Sequence, residues 1–164
     1  MKTLNLIVNR REISVAIDPK TPLLDVLRNE LDLASPRFGC GEEQCGACRV
    51  KVGSHLMYAC TTTVGEVQDA VTTVEGLGTL ETPHPLQQAF MDLNAGQCGY
   101  CLSGILVTAS ALLNANPAPS RSDVMAALDA HLSSDNSRAS MVFRSSHLAP
   151  GRSFRVRGYI SESG

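Results

Sequence analysis

The chain has 164 residues, 43% hydrophobic and without tryptophan, which is enough for one sizeable core or two modest ones. Its formal charge of −2 is unevenly spread: residues 1–132 carry nine basic and fourteen acidic side chains, and residues 133–164 carry five and two. No Lys or Arg occurs between Val52 and Ser120, so a nucleic-acid-binding face has little support, and the apolar run 101–113 is too short to cross a bilayer and contains Ser103, Thr108 and Ser110.

Apolar residues first recur at period two, as Leu4, Leu6 and Val8 and then Ile13, Val15 and Ile17, with Ile7 alone on the opposite face of the first run. The pattern predicts a β-hairpin turning at Asn9-Arg10. Arginine is a poor resident where a two-residue type I′ turn needs φ above zero, so the loop is expected to be longer than two residues. The apolar stretch 4–8 is brief and closed by Arg10 and Arg11, unlike an export leader, so the chain is expected to be cytoplasmic, or exported only in a complex through a partner's signal. Thr21 and Pro22 form an N-cap and first-turn pair for a helix with Leu23, Leu24, Leu27 and Leu31 on one face. After a cysteine-rich loop at 38–48, residues 49–52 and 55–58 read as a second hairpin around Gly53-Ser54, and 71–74 as a last short strand.

Beyond residue 76 the pattern turns helical. Pro85 opens a helix with Leu86, Ala89, Phe90 and Leu93 on its core face, closed by Asn94-Ala95-Gly96. Residues 98–113 form the next, 116–120 break the chain with two prolines, and Ser122 is expected to cap a third helix carrying Val124, Ala127, Leu128 and Leu132. An α+β half at 1–76 is thus followed by an all-α half at 83–132, with a tail at 133–164.

The six cysteines fall in two groups. Cys40, Cys45, Cys48 and Cys60 stand as C-x4-C-x2-C plus a fourth after eleven residues, the spacing by which plant-type ferredoxins hold a 2Fe-2S cluster. Gly39, Gly41, Gly46 and Ala47 let the backbone pass close, so that peptide N–H groups can point at anionic sulfurs. Two hairpins, a helix across them and this loop make a β-grasp arrangement like that of a ferredoxin. Zinc would also accept four thiolates, but zinc sites usually present two short Cys pairs, whereas here three ligands crowd one loop. Disulfides would need a secreted chain. Cys98 and Cys101 form a second pair in Gln97-Cys98-Gly99-Tyr100-Cys101. His84 reads as a capping or packing residue, His55 as a strand residue beside the first site, Glu42 and Glu43 as solvated, and Tyr100 as a packing residue. No Ser-His-Asp set and no phosphate-cradling glycine motif is visible, so substrate chemistry is not expected in this chain.

Four stretches carry a resemblance: F-G-C-G-x-x-x-C-G-A-C at 38–48, T-V-E-G-L at 73–77, H-P-L-Q-Q-A-F at 84–90 and Q-C-G-Y-C at 97–101. In type, order and spacing, residues 1–132 resemble the small iron–sulfur subunit of the xanthine oxidase family of molybdenum hydroxylases. A separate chain of this size is most similar to bacterial members such as nicotinate dehydrogenase and isoquinoline oxidoreductase. The resemblance implies a ferredoxin-like domain and a four-helix domain, each with a 2Fe-2S cluster. It implies a large partner subunit with a molybdenum–pterin centre that hydroxylates an N-heteroaromatic compound or an aldehyde. The small chain would relay single electrons from that centre to a flavin or cytochrome c subunit. Gln97 corresponds to a glutamine that hydrogen-bonds the pterin, an apt use of an amide that both donates and accepts, although a helix-capping role fits it too. A free-standing ferredoxin would account for residues 1–75 and leave the helical half idle, and a zinc-stabilised interaction module is a third class.

The chain departs from this pattern where the family completes its second cluster. Family members have H-L-C-R-C after the third helix of the α domain; here His131-Leu132 is followed by Ser133-Ser134-Asp135. The remaining 32 residues contain nine serines and five arginines, and the helical pattern stops. Such a break is expected from a change of reading frame in the gene or from genuine loss of the ligands. In either case a second cluster on Cys98 and Cys101 alone would be incomplete, and a disordered tail is expected.

Overall fold

The computed structural model describes residues 1–92, 95–96, 98–129 and 131. The expected C-x-C departure, the disordered tail, Gln97, Leu93, Asn94 and Leu132 lie outside these residues.

Strands β1 (Lys2–Val8) and β2 (Arg11–Ile17) pair antiparallel with Leu6 opposite Ile13 and Leu4 opposite Val15, burying Leu6, Val8 and Val15 and leaving Ile7 exposed. The connection is two residues long, shorter than expected, and both residues are left-handed, at φ 49° for Asn9 and 69° for Arg10. Tertiary bonds explain this. Asn9 receives the Thr73 N–H on Oδ1 at 2.9 Å, donates Nδ2 to Thr73 Oγ1 at 2.9 Å, and sends its own N–H to the Val71 carbonyl at 2.9 Å. With Asn9 so fixed, Arg10 must adopt the conformation that closes the turn.

The second hairpin follows the sequence reading: β3 (Arg49–Val52) and β4 (His55–Tyr58) flank Gly53, which has φ 58°. The last strand, β5 (Val71–Thr72), is shorter than expected, because the chain enters a 3-10 turn at Val74–Gly76. It nevertheless joins the hairpins in a sheet of order β2-β1-β5-β3-β4, parallel to β1 and antiparallel to β3. Helix α1 (Leu23–Asp25) runs directly into a π-helical turn, Val26–Glu30, and buries Leu23, Leu24, Val26 and Leu27 in the same core as Val50, Val64 and Val71. Pro22, rather than Thr21, is its N-cap. Thr21 instead accepts the Val64 N–H at 2.8 Å, and Pro22 bridges to Thr63.

The second half holds α2 (Pro85–Asp92), α3 (Leu102–Ala115) and α4 (Arg121–Leu128), around a separate cluster of Leu86, Phe90, Ile105, Leu106, Ala109, Val124 and Leu128. Helix α3 starts four residues later than the apolar pattern suggests, because Gly99 is left-handed at φ 71° and Cys101 is the N-cap. Ser120, not Ser122, caps α4. Its hydroxyl accepts from the Asp123 N–H, and the Asp123 carboxylate accepts from the Ser120 N–H, a reciprocal capping box.

Two of the sequence stretches meet where the halves join, the first braced within its own half and the second reaching across. In the 73–77 stretch Thr73 holds Asn9, and Glu75 accepts from the Ser35 N–H at 2.9 Å and from the hydroxyls of Ser35 and Thr73. Gly76 is needed because an added Cβ would overlap Asn9 Oδ1. In the 84–90 stretch His84 Nδ1 accepts the Leu86 N–H at 3.2 Å, Gln87 Oε1 accepts the His84 N–H at 2.8 Å, and Gln87 Nε2 reaches back to the Val74 carbonyl at 3.1 Å. Of the two roles the sequence suggested for His84, capping or packing, this bond shows the first.

These contacts carry two consequences for stability. A left-handed non-glycine residue costs roughly 1–2 kcal/mol, so Arg10→Gly is expected to stabilise the fold by about 1 kcal/mol in chemical denaturation. Burial opposes ionisation of Glu75, but the bonds from Ser35 and Thr73 outweigh it and hold the carboxyl below the usual range. Its contribution is present above an ordinary glutamate pKa of about 4.3 and fades as pH falls through the lower folded value. Glu75→Gln is expected to lose about 1 kcal/mol at neutral pH and to flatten the acid limb of the stability curve.

Candidate metal centre

The first four cysteines come from two segments that meet at one end of β3 and β4. Cys40, Cys45 and Cys48 lie on the loop before β3, and Cys60 lies just after β4. A ladder of backbone bonds brings them together: the Ala59 N–H donates to the Cys48 carbonyl at 3.2 Å, and the Leu24 N–H donates to the Ala59 carbonyl at 2.8 Å. The Leu23 N–H likewise reaches the Thr62 carbonyl at 2.8 Å, so the opening turn of α1 finds its acceptors on the segment that bears Cys60. Cys48 Sγ and Cys60 Sγ end 3.3 Å apart.

Within the loop the sulfurs receive backbone donors, as the glycine content predicted. Cys40 Sγ accepts N–H groups from Gln44 at 3.2 Å, Cys45 at 3.3 Å and Glu42 at 3.4 Å, while the Cys40 N–H points at Cys45 Sγ at 3.4 Å. Left-handed Gly41, Glu43 and Gly46 produce the curl that aims these donors inward. Gly39 leaves room for a sulfur, since a Cβ there would sit 2.5 Å from Cys45 Sγ.

The donors alter the chemistry of the thiols. The Glu42 N–H, aided by those of Cys45 and Gln44, brings Cys40 down to about 7 against the cost of desolvation. Burial pushes Cys48 up to about 12, with Cys60 and Cys45 adding to the rise through charge repulsion. A buried thiolate beside other thiolates needs a positive centre, and iron supplies one. Three thiols on one loop with a fourth on the adjoining segment suit a 2Fe-2S cluster better than a zinc site built from two short pairs. The donor set, the glycine clearance and the converging N–H groups fit a 2Fe-2S cluster.

The second pair lies over the first loop. The Tyr100 hydroxyl donates to the Phe38 carbonyl, the Arg37 guanidinium sits 5.3 Å from the Tyr100 ring centre, and Ser103 Oγ reaches the Ala47 carbonyl at 3.5 Å. Tyr100 thus packs, as expected, and also ties the two cysteine segments. Cys98 is exposed and Cys101 half-buried. Two thiols do not fit a complete cluster, and the sequence has no cysteine after Cys101.

Other residues are placed differently from the sequence reading. His55 pairs with Val52 beside the hairpin turn, at the far end of β4 from Cys60, because register puts Tyr58, not His55, opposite Arg49 next to the loop. Glu43 is not merely solvated: it accepts the Thr61 hydroxyl at 2.6 Å and links the loop to the Cys60 segment. Nothing in the sequence marked that pairing, which depends on a left-handed glutamate.

Comparison with known proteins agrees with this geometry. Residues 6–73 match the model of a 2Fe-2S iron-sulfur cluster binding domain, and residues 73–142 match that of a [2Fe-2S] binding domain. One chain of the nicotinate dehydrogenase of Pseudomonas putida is 44% identical over 131 residues, covering 79% of this chain and 83% of that one. The chain belongs to the small iron–sulfur subunits of the molybdenum hydroxylases. Family members are oxidoreductase components that serve electron transfer beside a large molybdenum-binding subunit. Quinoline 2-oxidoreductase from Pseudomonas putida contains a chain of this family's fold, with TM-score 0.80 and 27% identity over 92% of this chain and 98% of that one. The aldehyde oxidoreductase of Desulfovibrio desulfuricans matches with TM-score 0.76 and 43% identity over 80% of this chain, which spans only 15% of that longer chain.

The contrast between Cys40 and Cys48 gives a direct test in cluster-free protein. Because thiolate is the reactive form, Cys40 is expected to be alkylated first at pH 7.5, its rate rising with pH through a midpoint at about 7 before it levels, and Cys48 last. Peptide mapping after timed iodoacetamide treatment reads the order.

Proposed function

We propose that this chain is the electron-transfer component of a molybdenum hydroxylase acting on an N-heteroaromatic compound such as nicotinate, or on an aldehyde. Cys40, Cys45, Cys48 and Cys60 are its cluster ligands in this reading. The observation that carries it is the set of four thiols brought together from two segments, with backbone N–H groups aimed at Cys40 and Cys45. When bound, a 2Fe-2S cluster supplies reversible one-electron transfer.

The chain's own groups do the rest. The N–H groups of Glu42, Gln44 and Cys45 offset sulfur charge, and the Ala59 peptide fixes the spacing of Cys48 and Cys60. Tyr100 and Ser103 hold the Cys98–Cys101 segment against the loop, and in this proposal electrons arrive from that side, as the family resemblance implies. In this proposal the electron source is the large molybdenum-binding subunit, and the acceptor is an FAD or cytochrome c subunit. The ferredoxin-like domain is assigned to residues 1–76 and the helical domain to 83–132. The site of action is the cytoplasm, or the far side of a membrane when a partner's signal exports the complex.

Anaerobic reconstitution tests the ligands and copurification tests the partner. The chain is expected to bind iron and sulfide with visible absorption, Cys45→Ser to lose them, and the purified chain alone to hydroxylate nothing, while its complex turns over only as far as electrons pass the Cys98–Cys101 segment, whose two thiols do not complete a cluster. Zinc without inorganic sulfide would sink the ligand assignment. Turnover by the single chain, or copurification without any large molybdenum-binding partner, would sink the role within a complex and favour a free-standing carrier.

A further inference from the structure

Between Cys45 and Cys48 the chain is gripped from the other half of the molecule. An added Cβ on left-handed Gly46 would overlap His131 Nδ1 and fall 2.5 Å from its Cε1 and 2.9 Å from its Cγ, so the imidazole lies flat against the glycine. On the α3 side, an added Cβ on Gly104 would overlap the Gly46 carbonyl oxygen and fall 3.3 Å from His131 Cε1. The Gly46 peptide is therefore pressed between an imidazole and a helix backbone.

The ring is held in that place. His131 is fully buried, its N–H donates to the Leu128 carbonyl at 3.0 Å, and its Nε2 lies 2.9 Å from the hydroxyl of Thr108, itself 1% exposed. An apolar side chain of similar volume would fill the space but would leave the Thr108 hydroxyl unsatisfied and the ring plane free to turn. The Gly46 carbonyl in turn accepts the Arg49 N–H at 3.1 Å, which passes the constraint into β3.

We infer that His131 is a positioning residue for the first iron–sulfur site: it fixes the Cys45-Gly46-Ala47-Cys48 backbone from the end of α4, so that the helical half sets the environment of two ligands it does not contribute. This rests on the assignment of Cys40, Cys45, Cys48 and Cys60 as cluster ligands. Groups that orient metal ligands without touching the metal typically change affinity by about 10-fold or more when removed.

The test uses the full chain loaded anaerobically with iron and sulfide, reading the paramagnetic signal that Cys45→Ser abolishes, the rate of chelator-driven bleaching, and thermal stability. His131→Ala is expected to change the g-values of that signal and to speed bleaching roughly tenfold at a temperature where the protein stays folded. His131→Gln, whose amide can reach Thr108, is expected to restore most of both. Thr108→Val, which removes the Nε2 partner without opening a cavity, is expected to move both readouts in the same direction by less, and it decides the matter if His131→Ala fails to fold. Unchanged g-values and bleaching in the folded variants, whatever their melting temperature, would reduce His131 to core filling and overturn the inference. Wild-type chain that takes up no iron and sulfide would instead defeat the ligand assignment, a failure visible before any variant is compared.

Discussion

One residue, Ala59, joins through its backbone N–H and carbonyl the three parts on which the site depends. Its N–H binds the Cys48 carbonyl and its carbonyl binds the Leu24 N–H, so the cysteine loop, the segment with Cys60 and the start of the first helix share a single anchor. Ala59 is completely buried, where an unmade bond is costly, and this makes the anchor close to obligatory. The opening of α1 follows from the same need: with Leu23 and Leu24 donating to Thr62 and Ala59, no side-chain cap is required, and Thr21 is free to pair with Val64.

The two halves of the molecule depend on each other through small residues and polar locks rather than through one continuous core. Each has its own apolar cluster. Between them stand the Gln87–Val74 bond, the Tyr100–Phe38 bond and the stack of Gly104, Gly46 and His131. Glycines at such contacts permit backbones to approach to a distance that any side chain would forbid. Close approach of the segments bearing the two cysteine groups is the property an electron-carrying chain needs.

Much of this was legible in the sequence because local signals and tertiary structure agree. Period-two apolar runs marked the first hairpin, Gly53-Ser54 marked the turn of the second, and Leu86, Ala89 and Phe90 marked the buried face of α2. The failures have a common cause, which is that a distant partner outweighed a local preference. Arg10 takes a left-handed conformation because Thr73 holds its neighbour. Glu43 does so where Thr61 meets its carboxylate, and Thr21 gives up its capping role to Val64. His131 was marked only as the first residue of the family's H-L-C-R-C stretch, and its contact with Gly46 was not legible, since it depends on a glycine 85 positions earlier in the chain.

The sheet order has a consequence for how the protein is made. Its central strand, β5, is two residues long and is the last of the described strands in the sequence, yet it connects the β1–β2 hairpin to the β3–β4 hairpin. On an emerging nascent chain each hairpin can close as a local unit, but until residue 72 leaves the ribosome both keep an exposed edge. The cysteine loop and Cys60 are already complete by then, on a sheet not yet joined. Delivery of iron and sulfide is therefore best timed after synthesis passes β5, when the backbone that aims the donors has a closed sheet to rest on.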